Sequence, residues 1–206
     1  MLMGVAAAFV LNASVSGKID ADYACIEIDE ASAVRVLPHM TPDYMILTNL
    51  FRDQLDRYGE IDITMNLLNE AMKMAPDMTL IYNGDDSLSA YLALNCGHAH
   101  TAFGISERVF DGEETGEIRE GRFCKNCGGR LECDFYHYSQ MGVYHCPSCG
   151  FSRPPITFDA RDISMKDGLS FRVGSDVIVA NYRGFYNIYN ILSVYSALKV
   201  SGHEAD

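Results

Sequence analysis

The stretch from Thr79 to Leu94, TLIYNGDDSLSAYLAL, predicts a strand, a polar turn and a helix in direct succession. Thr79 to Tyr82 is a short apolar run typical of a strand. The next residues, Asn83 to Asp86, favour a turn that can also cap the helix predicted from Ser87 to Leu94. A strand that passes directly into a helix is the repeating unit of α/β sheets.

Similar elements are predicted on both sides of this stretch. Those before it are a helix from Leu2 to Val10, buried strands at Asp22 to Ile28 and Asp43 to Thr48, and an amphipathic helix from Ile61 to Ala75 that ends at Pro76. Those after it are a strand at His100 to Ile105, short strands between Ile156 and Ala180, and a helix from Tyr186 to Val200. This order predicts an α/β fold with a doubly wound, mostly parallel sheet.

Composition and charge restrict the possible functions. The 206 residues are 48% hydrophobic, which is typical of a folded domain. The formal net charge of −12 disfavours nucleic acid as a partner, because phosphate backbones repel it. The longest apolar run, Gly4 to Leu11, is about half of the ~20 residues that span a membrane, and no basic residue precedes it as in a signal peptide. We therefore expect a cytoplasmic protein with no transmembrane segment.

Four of the seven cysteines form a metal-binding pattern. Cys124, Cys127, Cys146 and Cys149 have the spacing C-x2-C-x18-C-x2-C, and a glycine follows each pair. A CxxC turn directs two thiolates to one point, and two such turns supply the ligands of a closed, structural Zn²⁺ site. Thiols packed as small apolar groups and a redox CxxC are the alternatives, and the duplicated turn disfavours both.

The cysteine pattern lies in a segment of distinct composition. Residues 107–155 are rich in glycine, cysteine and charge and show no helical period, which predicts an inserted zinc ribbon. Residues 1–106 and 156–206 are then the first and second parts of one α/β domain. Of the other cysteines, Cys25 is expected in the core, while Cys96 and Cys133 are expected outside the metal site. His137 and His145 are expected to be surface histidines or to support the ligands.

Polar residues follow several predicted strands, which is where open α/β sheets bind ligands. Carboxylates there could hold Mg²⁺ and paired amides could bind an adenine edge, although a carboxylate at a strand end is often only a cap and a charged loop only a solvated face. These clusters are Glu27, Asp29 and Glu30; Arg52, Asp53, Asp56 and Arg57 within residues 48–60; and Asn187 with Asn190.

The same segments resemble motifs of the Mur ligase family. TNLFRDQLDRYGE (48–60) resembles the TN-x-x-x-DHLD segment of the Mur ligase central domain. CIEIDEAS (25–32) is similar to the strand that ends in a magnesium-binding glutamate, IYNGDDS (81–87) to the NADDP turn, and GFYNIYN (184–190) to the HN-x-x-N adenine-binding segment. With the four-cysteine insert, the chain resembles the branch of the family that amidates lipid II.

The resemblance implies an ATP-dependent carbon-nitrogen ligase. The family activates a carboxylate as an acyl phosphate, here the α-carboxyl of the D-glutamate in lipid II, and ammonia comes from a GatD-like glutaminase subunit. By position, Glu27 would bind Mg²⁺, Asn187 and Asn190 would contact adenine, and Asn49 would be a further nucleotide-binding residue. No residue of this chain is assigned a catalytic role.

The chain also departs from the family pattern. Gln54 stands where most Mur ligases have a metal-binding histidine, and Asn69 lies near the position of their carbamylated lysine, so no second magnesium is predicted. The 206 residues contain no G-x-x-x-x-G-K-[ST] loop, whose amides and lysine hold the β and γ phosphates. We therefore expect a partial central domain, a P-loop-type fold without its P-loop and without the family's C-terminal domain, which alone binds ATP weakly and is inactive.

Two other functions stay open on the sequence. A noncatalytic zinc-ribbon scaffold that binds a protein partner needs the same metal site. A nucleic-acid-binding ribbon is less favoured, since acidic residues offset the basic ones near the cysteines. The basic residues are Arg122, Lys125, Arg130 and Arg153, and the acidic ones are Glu113, Glu114, Glu117, Glu120, Glu132 and Asp134.

Overall fold

The computed structural model describes residues 1–50, 61–109 and 120–203. The helices there are α1 (Leu2–Asn12), α2 (Glu30–Val36), α3 (Ile61–Lys73), α4 (Ser87–Asn95) and α5 (Asn187–Val200), with 3₁₀ turns at Leu37–His39 and Glu120–Arg122. The strands are β1 (Tyr44–Leu47), β2 (Thr79–Asn83), β3 (His100–Ile105), β4 (Glu132–Tyr138), β5 (Met141–His145), β6 (Phe158–Ser164), β7 (Leu169–Val173) and β8 (Asp176–Ala180). The chain divides into a helical unit, residues 1–42 and 53–76, and a sheet unit, residues 43–52 and 77–206.

The helical unit contains α1, α2 and α3. Asp29 caps α2, because its Oδ1 accepts a hydrogen bond from the amide of Ser32 at 2.8 Å. In α3 the buried side chains recur at helical spacing, and the helix ends shortly before Pro76 as the sequence predicts. These buried side chains are Met65, Leu68, Ala71 and Met72.

The predicted strand from Asp22 to Ile28 is wrong. The backbone of this segment is irregular, and the side chains from Asp22 to Cys25 are exposed. Cys25 therefore does not lie in the core, contrary to expectation. Acidic residues flank and interrupt the short apolar run, Ile26 and Ile28 are only half-buried, and Asp29 begins α2, so the run offers little apolar surface to a sheet.

The sheet unit contains a mixed, mostly parallel sheet. In the described ranges it has six strands in the order β1-β2-β3-β6-β7-β8; the pairs from β1 to β6 are parallel, and β7 and β8 complete it as antiparallel strands. The strands follow chain order, so the reversal of a doubly wound sheet is not seen among these residues. Since β1 lies at the edge and buries only Leu47, it is not the buried strand that was predicted.

The hydrophobic core of this unit lies between one face of the sheet and α5. Ile81, Phe103 and Phe171 contribute from β2, β3 and β7, and Ile188 and Leu192 contribute from α5; all five side chains are at most 1% exposed. The buried face of α5 is thus packed against the sheet.

Residues 107–155 belong to the stretch of sequence that connects β3 to β6, two parallel strands that are neighbours in the sheet. Within this stretch, β4 and β5 form a two-stranded antiparallel hairpin. Met141 of β5 is 1% exposed and belongs to the same core as α5, so this hairpin packs on the sheet unit. In the part of the chain that the structure describes, no helix has the length and apolar character needed to cross a membrane.

Candidate functional site

The structure brings together the four cysteines of the predicted metal site. The ligand atoms of Cys124, Cys127, Cys146 and Cys149 all lie within 4.8 Å of one another. The Sγ atoms of Cys124 and Cys149 are 3.5 Å apart, and those of Cys127 and Cys146 are 3.6 Å apart. A tetrahedral site with Zn–S bonds of ~2.3 Å needs Sγ atoms ~3.8 Å apart, so the cluster has the right size for zinc.

Both CxxC turns have the same backbone geometry. The amide of Gly128 donates to the carbonyl of Cys124 at 2.8 Å, and the amide of Gly150 donates to the carbonyl of Cys146 at 3.0 Å. Both glycines adopt positive φ, +74° and +77°, which side chains with a Cβ rarely adopt. The glycine after each pair is therefore what allows each turn to close around a metal.

The clustered thiols differ in how readily they ionise. Burial raises the pKa of the Cys146 thiol, but hydrogen bonds from the amides of Cys149 and Ser148 and from the neighbouring thiols lower it, to about 7. The amide of Phe151 lowers the pKa of the Cys149 thiol, but burial and the neighbouring thiols raise it, to about 12. A thiolate is the form that binds zinc, so Cys146 is already partly prepared at neutral pH. Cys124 and Cys146 are buried, whereas Cys127 and Cys149 are exposed, which leaves one side of the cluster open to solvent.

A second polar group lies at the turn after β2. Asp85 is fully buried, and its carboxylate accepts three hydrogen bonds. Oδ1 accepts from Nε of Arg153 at 2.5 Å, and Oδ2 accepts from the amide of Ile105 at 2.8 Å and the hydroxyl of Tyr189 at 2.9 Å. This one side chain joins β3, α5 and the segment that follows the second CxxC turn.

Asp86, the next residue, is also fully buried and caps α4. Its Oδ2 accepts from the amide and hydroxyl of Ser89, at 3.2 and 2.6 Å, and from the amide of Leu50 at 3.0 Å. Its Oδ1 accepts from Nε2 of Gln140, at the turn between β4 and β5, at 2.9 Å. The carboxylate thus connects the end of β1, the start of α4 and the hairpin.

The two aspartates differ in electrostatic environment. Burial raises the pKa of both carboxyl groups above the usual value of 3.8. For Asp85 the charges of Arg153 and His137 oppose this rise, whereas Asp86 has only neutral donors among the groups that lower its pKa. Asp85 is therefore suited to an ion pair, and Asp86 to a neutral hydrogen-bond network.

The hairpin also contacts the residues that precede α5. The ring of His137 stacks on Phe185 with centroids 5.9 Å apart, and the ring of Tyr138 contacts Tyr186 at 6.1 Å. His137 is 7% exposed and its Nε2 is 2.9 Å from the carbonyl of Ile105, so the expectation of a surface histidine is wrong. The ring of Phe135 also packs against it in a T-shaped arrangement with centroids 5.1 Å apart, which the alternating polar sequence of β4 does not reveal.

The residues predicted to bind the nucleotide and its Mg²⁺ lie on different elements of the structure. Asn187 and Asn190 lie in the first turn of α5, Asn187 half-buried and Asn190 exposed. Asn49 is half-buried in the sheet unit, directly after β1 and next to Leu50. Glu27 is exposed and belongs to the helical unit. Arg52, Asp53, Gln54, Asp56 and Arg57 lie outside the described residues.

Sequence reasoning missed the network around the two aspartates. It treated Asp85 and Asp86 as a turn and cap, and it treated Arg153 only as a charge near the cysteines. The available signal was two adjacent carboxylates between an apolar strand and an apolar helix, where a charge needs a partner. The sequence did not identify Arg153 or Tyr189 as those partners.

The chain is similar over its whole length to part of two characterised proteins. It is 34% identical over 202 residues to the MurT subunit of lipid II isoglutaminyl synthase (glutamine-hydrolyzing) from Staphylococcus aureus (strain COL), covering 98% of this chain and 44% of that protein. It is 30% identical over 207 residues to the MurT subunit from Streptococcus pneumoniae (strain ATCC BAA-255 / R6), covering 100% of this chain and 45% of that protein. The chain thus spans less than half the length of these relatives.

Among solved structures, the chain resembles a pseudomurein peptide ligase type C from Methanothermus fervidus. The TM-score is 0.69 at 23% sequence identity, over 82% of this chain and 33% of that one. At this identity the likeness shows a shared fold. No protein-family model matches the chain.

Proposed function

We propose that this chain, a relative of the Mur ligases by its similarity to MurT subunits over its whole length, is part of the nucleotide-binding domain of an ATP-dependent ligase in peptidoglycan synthesis. The reaction we propose is the amidation of the D-glutamate α-carboxyl of lipid II. The similarity across 98% of the chain is the observation that carries this proposal, since the aligned 202 residues span the segments that form the sheet, the cysteine cluster and α5.

The proposed nucleotide site is centred on the first turn of α5. Asn187 and Asn190 are one turn apart there, and the side chain of Asn190 is exposed and can reach a ligand. The Nδ2 of Asn187 donates to the carbonyl of Arg183 at 3.3 Å, which orients its amide. Paired amides offer both a donor and an acceptor to the edge of adenine. Asn49 is proposed as a further nucleotide-binding residue.

A divalent cation is part of the proposed chemistry. Glu27 would hold Mg²⁺, since an exposed carboxylate without a cationic partner in the described contacts is a hard oxygen ligand of the kind Mg²⁺ prefers. A Mg²⁺ ion held there would supply positive charge to offset the negative charge that develops in phosphoryl transfer. A carboxylate oxygen of the substrate attacks the γ phosphorus of ATP, and ADP leaves as the acyl phosphate forms. Ammonia then attacks the acyl carbon, the bond to phosphate breaks, and the proton that ammonia loses leaves with the phosphate.

The four cysteines are proposed to hold a structural zinc ion. All four ligand positions are filled by thiols, so the site leaves no position for a reacting water. Ammonia for the reaction is proposed to come from a GatD-like glutaminase subunit, because the relatives are named as subunits of a glutamine-hydrolyzing synthase. We further propose that the protein acts in the cytoplasm.

The test is an amidation assay on the full-length protein that contains this chain, together with its glutaminase subunit. Lipid II, Mg-ATP and glutamine are supplied, and conversion of carboxyl to amide is followed by mass spectrometry. Glu27→Ala is expected to abolish turnover and Asn190→Ala to weaken it, while Glu132→Ala, an exposed carboxylate of β4, is the control. No turnover by the wild type would favour a noncatalytic zinc-ribbon scaffold, whereas turnover that is unchanged in Glu27→Ala would overturn the role given to Glu27.

A further inference from the structure

The hairpin of the four-cysteine segment reaches the residues that lead into α5. Two consecutive hairpin residues, His137 and Tyr138, contact two consecutive residues of the other segment, Phe185 and Tyr186. The rings of the first pair are nearly parallel, with an interplanar angle of 28°, and those of the second are tilted by 43°. Asn187, the first residue of α5, directly follows Tyr186.

A second connection runs through Asp85. Its Oδ1 is held by Nε of Arg153, four residues after the last cysteine, and its Oδ2 by the hydroxyl of Tyr189, in the first turn of α5. Both contacts are made to one buried carboxylate, so the segment after the cysteines and the start of α5 share a fixed partner.

The hairpin itself is held at both ends. The cysteine cluster closes its base, because β4 begins after Cys127 and β5 ends at His145, directly before Cys146. At its other end, the side chain of Gln140 donates to the carbonyl of Leu50 at 2.8 Å as well as to Asp86. Because both ends of the hairpin are held, its contacts with Phe185 and Tyr186 restrict the residues that lead into α5.

The outer ring pair is not part of the hydrophobic core. Tyr138 is 43% exposed and Tyr186 is 50% exposed, whereas the core side chains of α5 are almost completely buried. Removal of an exposed ring leaves little cavity, so this contact has a small effect on folding. The contact between Tyr138 and Tyr186 lies next to Asn187, so it can instead affect the position of the first turn of α5.

We infer that the hairpin of the four-cysteine segment positions the first turn of α5 for nucleotide binding, with Tyr138 as the positioning residue through its contact with Tyr186. This inference rests on the proposed function, which places the adenine-binding residues in the first turn of α5. Tyr138 acts on Asn187 and Asn190 through Tyr186. The metal cluster then contributes to nucleotide affinity by holding the base of the hairpin.

The test uses the full-length protein and compares Tyr138→Ala with Tyr138→Phe. Titration calorimetry with Mg-ADP and steady-state kinetics with ATP are measured for both. Loss of one aromatic contact is expected to raise the Kd for Mg-ADP and the KM for ATP about three- to tenfold. The kcat should stay within about twofold, since a positioning contact for the nucleotide supports ground state and transition state alike. Tyr138→Phe keeps the ring, so its Kd for Mg-ADP and its KM for ATP should equal those of the wild type.

Controls separate this inference from the proposed function. Phe123→Ala removes another exposed ring near the cysteines and should leave Kd and KM unchanged. Thermal unfolding of every variant shows whether folding is intact. If Asn187→Ala and Asn190→Ala weaken Mg-ADP binding but Tyr138→Ala does not, the inference about the hairpin is overturned and the nucleotide site stands. If Mg-ADP does not bind the wild type, or binds it and all three variants equally well, both are overturned.

Discussion

Arg153 donates from Nε to Oδ1 of Asp85 at 2.5 Å, and this ion pair joins the segment after the second CxxC turn to the turn after β2. The side chain of Asp85 is fully buried and that of Arg153 is 11% exposed. A pair at this depth is strongly coupled, because removing one member leaves a buried charge without its partner.

Arg153→Gln is expected to lower the free energy of unfolding by about 3–5 kcal/mol, the range for breaking a buried pair by removing one partner. The measurement is urea denaturation of the zinc-loaded protein. Arg161→Gln is the matched control, since Arg161 also donates from Nε to an aspartate, Asp159, but its side chain is 67% exposed. Solvent screening should make that loss much smaller. Equal losses in the two variants would contradict the role given to burial.

Zinc content should depend on the four clustered cysteines alone. The wild-type chain is expected to retain one zinc ion, and Cys149→Ser to lose it, because a hydroxyl is a poor replacement for a thiolate ligand. Cys133→Ser, within the same segment but outside the cluster, should retain the metal. Elemental analysis by mass spectrometry after gel filtration measures both. Zinc that survives in Cys149→Ser, or is lost in Cys133→Ser, would show that the ligand set is different.

The buried carboxyl of Asp86 should make stability depend on pH. Because burial raises its pKa in the folded state above 3.8, folding favours the protonated form. That contribution is complete below the unfolded pKa and is lost as the pH rises through the folded pKa. The stability of the wild type relative to Asp86→Asn should therefore fall as the pH rises above 3.8, the ordinary pKa of the carboxyl group.

Denaturation of both proteins at each pH measures this difference, and the titration of the cysteines cancels in the comparison. Asp86→Asn should be the less stable protein at low pH, since an amide cannot accept all the hydrogen bonds that Ser89, Leu50 and Gln140 donate. A difference that grows with pH would mean that the folded state prefers the ionised carboxylate.

Gly142 is expected to tolerate no side chain. A Cβ at this position would meet the backbone carbonyl oxygen of Phe135 across the hairpin, and backbone cannot move aside as a side chain can. Gly142→Ala should cost about 1–3 kcal/mol of stability by overpacking, as measured by denaturation. Gly4→Ala is the control, because no atom lies within 4 Å of its added Cβ and alanine favours helix. A loss in Gly4→Ala that matches that of Gly142→Ala would argue against a steric cause.

Local sequence patterns predicted most of the elements and the metal cluster. The apolar period of α3 and the run-turn-helix around Asp86 are local signals, and the spacing of the four cysteines defines a site by itself. The strand predicted from Asp22 to Ile28 is wrong because strand formation depends on packing and burial, which a short apolar run does not by itself determine. The partners of Asp85 lie far away in sequence, at Arg153 and Tyr189, so pairing them required the fold.

The connection from β3 to β6 has a consequence for how the chain folds. The two strands are hydrogen-bonded neighbours, yet the whole segment from Ser106 to Thr157 must be closed off before they can pair. Closing a loop costs entropy that grows with its length, by about 0.6 kcal/mol per doubling. A metal ion held by Cys124 and Cys149 in the unfolded chain would shorten this loop before any strand has formed. Metal supply would then speed the pairing of β6 with β3 and shorten the time for which the edge of β3 is unpaired.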